Sequence, residues 1–134
     1  MTDKLFTYGT LEIPSVVKRV FGVDLSGRAA VLSDYGRYLV RGQSYPAIRE
    51  EPGNSVHGTL YAGLNTGHFR RLDTYEGEAY EKRVVEVMTE DGERHRAVVY
   101  TCDRSLLGDA HWDQAEFIRR HLAEFMASYS GWID

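Results

Sequence analysis

The sequence predicts an α+β fold: a small mixed β-barrel or strongly curved sheet with helices packed outside it. Three observations lead there. Segments of strand pattern outnumber helical ones, the strands need not be parallel to one another, and an amphipathic helical segment at the end of the chain offers an apolar face to cover the sheet. At 134 residues the chain is read as one domain, residues 1–134, long enough to bury about two thirds of its unfolded surface around a single core.

The elements follow in order. Lys4 to Tyr8 reads as a strand that stops at Gly9. Pro14 suits the first turn of a short helix whose apolar stripe is Val16, Val17, Val20 and Phe21 and whose stop is Gly22. Strand segments are expected around Gly27 to Leu32 and Tyr38 to Arg41, followed by an extended piece through Tyr45-Pro46, since the residue before a proline is pushed out of the helical region. Glu51 to Asn54 reads as a turn and Ser55 to Tyr61 as the returning strand.

Asn65 or Thr66 can cap a helix to about Tyr75, with Leu64, Phe69 and Leu72 inward and Gly77 as its stop. Tyr80 to Thr89 and Glu93 to Cys102 flank Asp91-Gly92, which predicts a hairpin with a two-residue loop. The last helix is expected from Asp113, with Glu116 reaching back as in a capping box and Trp112 packing on Phe117. Its core stripe would be Phe117, Ile118, Leu122, Phe125, Met126 and Tyr129.

Composition narrows the function. Apolar residues make up 43% and charged residues 27%, an ordinary globular balance. Cys102 is the lone cysteine, so no disulfide can form within the chain, and a reducing, cytoplasmic setting is expected. The N-terminus has no secretion-signal pattern and no stretch approaches the ~18 apolar residues of a membrane span. A net charge of −4 without a basic cluster argues against nucleic acid as a partner. The sequence leaves oligomeric state open.

Cofactor motifs are missing as well. There is no Gly-x-Gly-x-x-Gly, no phosphate loop, no His-Glu-x-x-His and no Gly-x-Ser-x-Gly, and the five histidines are scattered without ligand spacing. Neither a metal nor a cofactor is expected.

Two stretches carry the functional signal. In Tyr8-Gly9-Thr10-Leu11, a glycine followed by a small hydroxyl residue at a strand end lets successive N–H groups converge on a carboxylate or an oxyanion; it also suits a plain strand-ending turn. In Leu72-Asp73-Thr74-Tyr75-Glu76-Gly77, two acids three residues apart share one side of a last helical turn, where they form either part of a site or a solvated pair beside Arg70 and Arg71.

Taken with Tyr-Pro-Ala-Ile at 45–48, Val-His-Gly-Thr-Leu-Tyr at 56–61, Tyr80, Arg83 and the Val85/Val87 alternation, these stretches resemble the gamma-glutamylcyclotransferase-like family, in particular its AIG2-like and gamma-glutamylamine cyclotransferase branch. The likeness spans roughly Leu5 to Tyr100 and lies in the order and spacing of the motifs. It implies a compact mixed barrel and release of 5-oxoproline from a small gamma-glutamyl substrate, without cofactor. It also implies that Glu76 is the essential acid and that Tyr8, Gly9, Thr10 and Leu11 form the substrate loop. The segment Glu12 to Gly22 departs from the commoner basic, glycine-containing continuation, which bears on substrate choice.

In that chemistry the substrate's own α-amine attacks its γ-carbonyl, and a well-oriented intramolecular attack has an effective concentration of ~10⁵ to 10⁸ M. Glu76 would move the protons, which for a carboxyl of ordinary pKa near ~4.3 requires burial, here beside Tyr75 or Tyr80. Tyr8 and Tyr80 are read as lining the substrate pocket, Tyr45 and Tyr100 as weaker candidates, and Asp73 as orienting a neighbour. Two alternatives stay open: a catalytically silent module that binds a small metabolite, and a hydrolase of gamma-glutamyl or other acyl amides on the same fold.

Overall fold

A computed structural model describes residues 2–128. Five strands close into a mixed barrel. In ring order they are β3 (Pro46–Tyr61), β1 (Leu5–Thr7), β5 (Arg94–Cys102), β4 (Tyr80–Thr89) and β2 (Gly27–Val40), and β2 pairs with β3 to complete the ring. The β1–β5 pairing is parallel and the others are antiparallel. β6 (Leu107–His111) extends the sheet beyond β2.

Alternation along the strands divides the apolar residues between two cores. Phe6, Tyr8, Ala97, Val99 and Val87 point into the barrel with Leu32, Ile48, Val56 and Leu60. Leu5, Val98 and Tyr100 point outward, where α1 (Pro14–Phe21) and α2 (Thr66–Glu76) cover them with Val16, Val17, Val20, Phe21, Phe69 and Leu72. α3 (Gln114–Arg120) adds Phe117 to that outer core, and α4 (Leu122–Ser128) packs Phe125 and Met126 against it. No helix among the described residues is long and apolar enough to cross a membrane.

Both early helices begin and end as their sequences predict. α1 has Pro14 at its first turn and ends at Gly22 in the left-handed region. Asn65 caps α2: its side chain accepts from His68 N–H at 2.9 Å, while His68 Nδ1 accepts from Asn65 N–H at 3.1 Å. His68 thus fills the position usually taken by Glu or Gln in a capping box.

Several expectations are corrected. The two strand segments at 27–41 form one strand, and the proposed turn at Glu51–Asn54 lies inside β3. The pairing runs Ser33↔Ser55 and then Tyr35↔Glu50, so four residues of β3 bulge opposite Asp34 without reversing the chain. Asp34 adopts φ 65, and its carboxylate accepts from Gly53 N–H at 3.1 Å, so turn-forming residues here close a bulge.

The β4–β5 loop has three residues, Glu90 to Gly92, rather than two. The Met88↔Arg94 pairing continues with Thr89 N–H donating to Glu93 O at 3.0 Å. Gly92 supplies φ 83 at the third position, while Asp91 accepts from Thr89 Oγ1 and from Glu93 N–H.

The expected last helix is broken at His121 into α3 and α4. Asp113 does cap it, accepting from Glu116 N–H at 3.2 Å, and the Trp112 and Phe117 rings lie 5.8 Å apart. Ile118, expected in the core, is 45% exposed; Tyr129 lies outside the described residues. β6 and its short pairing with β2 were not anticipated.

Candidate active site

Two elements bring the predicted residues together at one end of the barrel. After β1 the chain leaves the ladder at Tyr8 and enters a 3-10 turn over Thr10–Glu12. Gly9 is required there by close approach: a Cβ would lie 2.8 Å from Pro46 Cγ. α2 contributes the acid. Leu72 is fully buried, and Glu76 lies four residues later on the same helical face, so the contact that docks the helix also aims the carboxylate inward. Burial of side chains such as Phe69 and Leu72 contributes about 1.5–3 kcal/mol each to that docking.

A cavity of about 100 Å³ lies between them, lined by Tyr8, Gly9, Thr10, Leu11, Glu76 and Tyr80. All six predicted residues therefore border one space. Residues of β1 and Tyr45, Pro46, Tyr75, Ala79, Tyr100 and Phe125 also line it. Of these, Ala79 carried no signal in the sequence, and Phe125 was read only as a core residue of the last helix, because an apolar lining residue looks like any core residue.

Glu76 is partly exposed at the cavity yet closely surrounded by protein, and its carboxylate has no hydrogen-bond or ion-pair partner among the described residues. Desolvation by burial pushes its pKa up to about 8, with no compensating donor. Its charge in turn helps to raise Tyr8, Tyr80, Tyr100 and Cys102, for all of which burial is the larger cause.

The tyrosine hydroxyls are committed to the scaffold. Tyr8 Oη donates to Tyr100 O at 2.6 Å and Tyr80 Oη to Pro46 O at 2.9 Å, so their rings and oxygen lone pairs, rather than free O–H donors, face the cavity. Tyr100 Oη donates to Asp73 Oδ1 at 2.7 Å, and Lys82 Nζ lies 3.3 Å from the same oxygen. Asp73 thus ties the last turn of α2 to β5 and β4. On its other side that turn is tied to the loop by the 2.6 Å contact of Tyr75 Oη with Thr10 Oγ1.

Along the loop, every carbonyl from Tyr8 to Leu11 has a donor. Arg37 Nη1 meets Tyr8 O at 2.7 Å, Glu12 N–H meets Gly9 O at 3.1 Å, Ile13 N–H meets Thr10 O at 3.0 Å and Tyr61 Oη meets Leu11 O at 2.9 Å. The N–H groups are in the opposite condition. That of Gly9 has no acceptor among the described residues, and those of Thr10 and Leu11, the first residues of the 3-10 turn, are not used inside it. The arrangement offers main-chain donors for negative charge beside a proton-accepting carboxylate.

The family model described as "Gamma-glutamyl cyclotransferase, AIG2-like" matches residues 5–118. The chain belongs to this family. Among the family's curated members, AIG2-like protein C of Arabidopsis thaliana is 28% identical over 97% of this chain and 77% of its own length. Protein AIG2 B of the same plant is 27% identical over the whole chain and 81% of its own length.

Solved folds agree. A solution structure from Arabidopsis thaliana superposes with a TM-score of 0.72 at 26% identity, covering 96% of this chain and 80% of the other. A structure described as gamma-glutamyl cyclotransferase gives 0.68 at 19% identity over 77% of this chain and 68% of the other, a likeness of fold. Membership in the gamma-glutamyl cyclotransferase, AIG2-like family supports a cyclotransferase-type enzyme in general.

Proposed function

We propose that the protein releases 5-oxoproline from a gamma-glutamyl amine or gamma-glutamyl amino acid, with Glu76 as general acid and base. The observation that carries this reading is one cavity lined by Glu76, whose carboxylate has no partner among the described residues, and by Gly9, Thr10 and Leu11, whose N–H groups have no acceptor among those residues. The substrate's α-ammonium gives a proton to the Glu76 carboxylate, and the freed amine attacks the γ-carbonyl carbon. Negative charge then collects on the carbonyl oxygen. The bond from that carbon to the leaving nitrogen breaks as Glu76 hands its proton to that nitrogen.

Two protons pass in turn from the attacking to the departing nitrogen, so the products are the lactam and a protonated amine, and Glu76 ends as it began. A carboxyl with pKa about 8 suits both halves of that task, since proton transfer is most effective when donor and acceptor are nearly matched to the working pH. The loop N–H groups receive the substrate's negative charge, the developing oxyanion or the α-carboxylate. The leaving amine extends past Tyr45 and Phe125, which border both this cavity and a wider groove of about 540 Å³ beside α3 and α4.

The test is 5-oxoproline release by wild type and Glu76→Gln across gamma-glutamyl amines and gamma-glutamyl amino acids. Turnover by wild type that drops by ~10² to 10⁴ in the folded variant is expected. Equal turnover by the two proteins would contradict the assignment. Free glutamate in place of 5-oxoproline would mean a hydrolase.

A further inference from the structure

The Tyr8 carbonyl is held by a residue distant in sequence. β1 ends at Thr7, and no main-chain donor among the described residues meets Tyr8 O. Arg37, on β2, supplies the bond instead: its Nη1 donates at 2.7 Å. The guanidinium is itself fixed. It stands 5.3 Å over the Trp112 ring and 4.0 Å from Glu12 Oε1, the Arg37 and Glu12 side chains being only 28% and 19% exposed. Its own backbone is fixed as well, by the Arg37↔Ile48 pairing with β3 and by the 3.3 Å contact of His111 Nδ1 with Arg37 O.

A trans peptide is planar, with its C=O and the following N–H pointing in opposite directions. No peptide bond among the described residues is cis. Whatever fixes the direction of the Tyr8 carbonyl therefore fixes that of the Gly9 N–H, which has no acceptor among the described residues and belongs to a residue lining the cavity. A bond from a charged donor, shielded from water, is roughly twice as strong as a neutral one and well suited to hold a single peptide plane.

We infer that Arg37 is a positioning residue: by holding the Tyr8 carbonyl on the side away from the cavity, it aims the Gly9 N–H at the substrate. This rests on the reading in which the loop N–H groups receive the substrate's negative charge. Arg37 does not touch the reacting atoms. It acts through one peptide plane, which explains why an arginine from β2, a strand that does not pair with β1 and has no motif around Arg37, matters to a loop 29 residues away.

Arg37→Gln and Arg37→Lys test it, with two measurements. In the ligand-free protein, the Gly9 amide ¹⁵N resonance is expected to move by more than about 1 ppm in Arg37→Gln and by clearly less in Arg37→Lys, which keeps a charged donor. An unmoved Gly9 amide in folded Arg37→Gln overturns the inference, whether or not the protein turns substrate over. In the 5-oxoproline assay, kcat/KM is expected to fall at least tenfold in Arg37→Gln and to recover to within about threefold in Arg37→Lys.

Equal kcat/KM in wild type and Arg37→Gln, or equal loss in both folded variants, also overturns it. A wild type that releases no 5-oxoproline contradicts the proposed function alone, and the amide resonance then decides about Arg37. If Arg37→Gln does not fold, Arg37→Lys decides: retained kcat/KM and Gly9 resonance support the inference, and a tenfold loss with the fold intact contradicts it.

Discussion

Glu12 and Glu76 make an instructive pair, since both are drawn out of water and burial is the first cause raising the pKa of each. They differ in company. Glu12 accepts a 2.9 Å hydrogen bond from Thr59 Oγ1 and faces Arg37, and both neighbours pull its pKa back down. Glu76 has neither donor nor cation beside it among the described residues, and it borders the cavity. Desolvation alone therefore does not mark a reactive acid; desolvation left without a partner, next to a space that can admit substrate, does.

Exchanging each acid for its amide sharpens that contrast most. Glu76→Gln is expected to lower 5-oxoproline release by ~10² to 10⁴, whereas Glu12→Gln, outside the cavity, should cost less than about tenfold in the same assay. Similar losses in both would erase the distinction. Next in size is Gly9→Ala. Its Cβ would press on Pro46 at 2.8 Å and displace the loop donors, so kcat/KM is expected to drop by ~10 to 10² with the fold retained.

Stability gives the smaller effect, and its sign follows from linkage. Glu76 is raised from an unfolded value of 4.5 to about 8, so between those pH values the folded state binds more protons and wild-type stability falls as pH rises. A neutral Gln escapes that loss. Glu76→Gln should match wild type in urea melts at pH 5 and exceed it at pH 9 by on the order of 2 kcal/mol. Glu12→Gln should gain less over the same range, because Thr59 and Arg37 offset part of the desolvation that raises Glu12. Greater stability of wild type over Glu76→Gln at pH 9 would show that the carboxylate has a partner.

Local rules carried much of this site in the sequence. Gly9 and Gly77 punctuate the loop and the helix, and the spacing from Leu72 to Glu76 places the acid on the buried face. Asn65 caps α2 as expected, although its partner is His68 rather than an acid. Where two local signals competed, pattern reading went astray. Asp34 and the Glu51–Asn54 run have turn chemistry, but a long pairing between β2 and β3 on both sides absorbs them as a bulge.

β6 is short and mostly exposed, so Leu107–His111 shows no alternation to read. The break at His121 has neither proline nor glycine to announce it. Arg37 was invisible for a different reason. Its role depends on the closure of a barrel, which brings a strand residue to the end of β1, and no spacing within the chain encodes that meeting. The same closure sets Pro46 against Gly9, a contact that makes the glycine necessary.

Glu76 borders the cavity desolvated and without a donor among the described residues. The direct measurement is a pH titration of glutamate side-chain carboxyl carbons by ¹³C NMR, with Glu76→Gln identifying the resonance. A midpoint near 8 is expected for Glu76, so that the group is mostly protonated at pH 7 and ionises as pH rises through that value. A midpoint in the ordinary range of about 4 to 5 would contradict it.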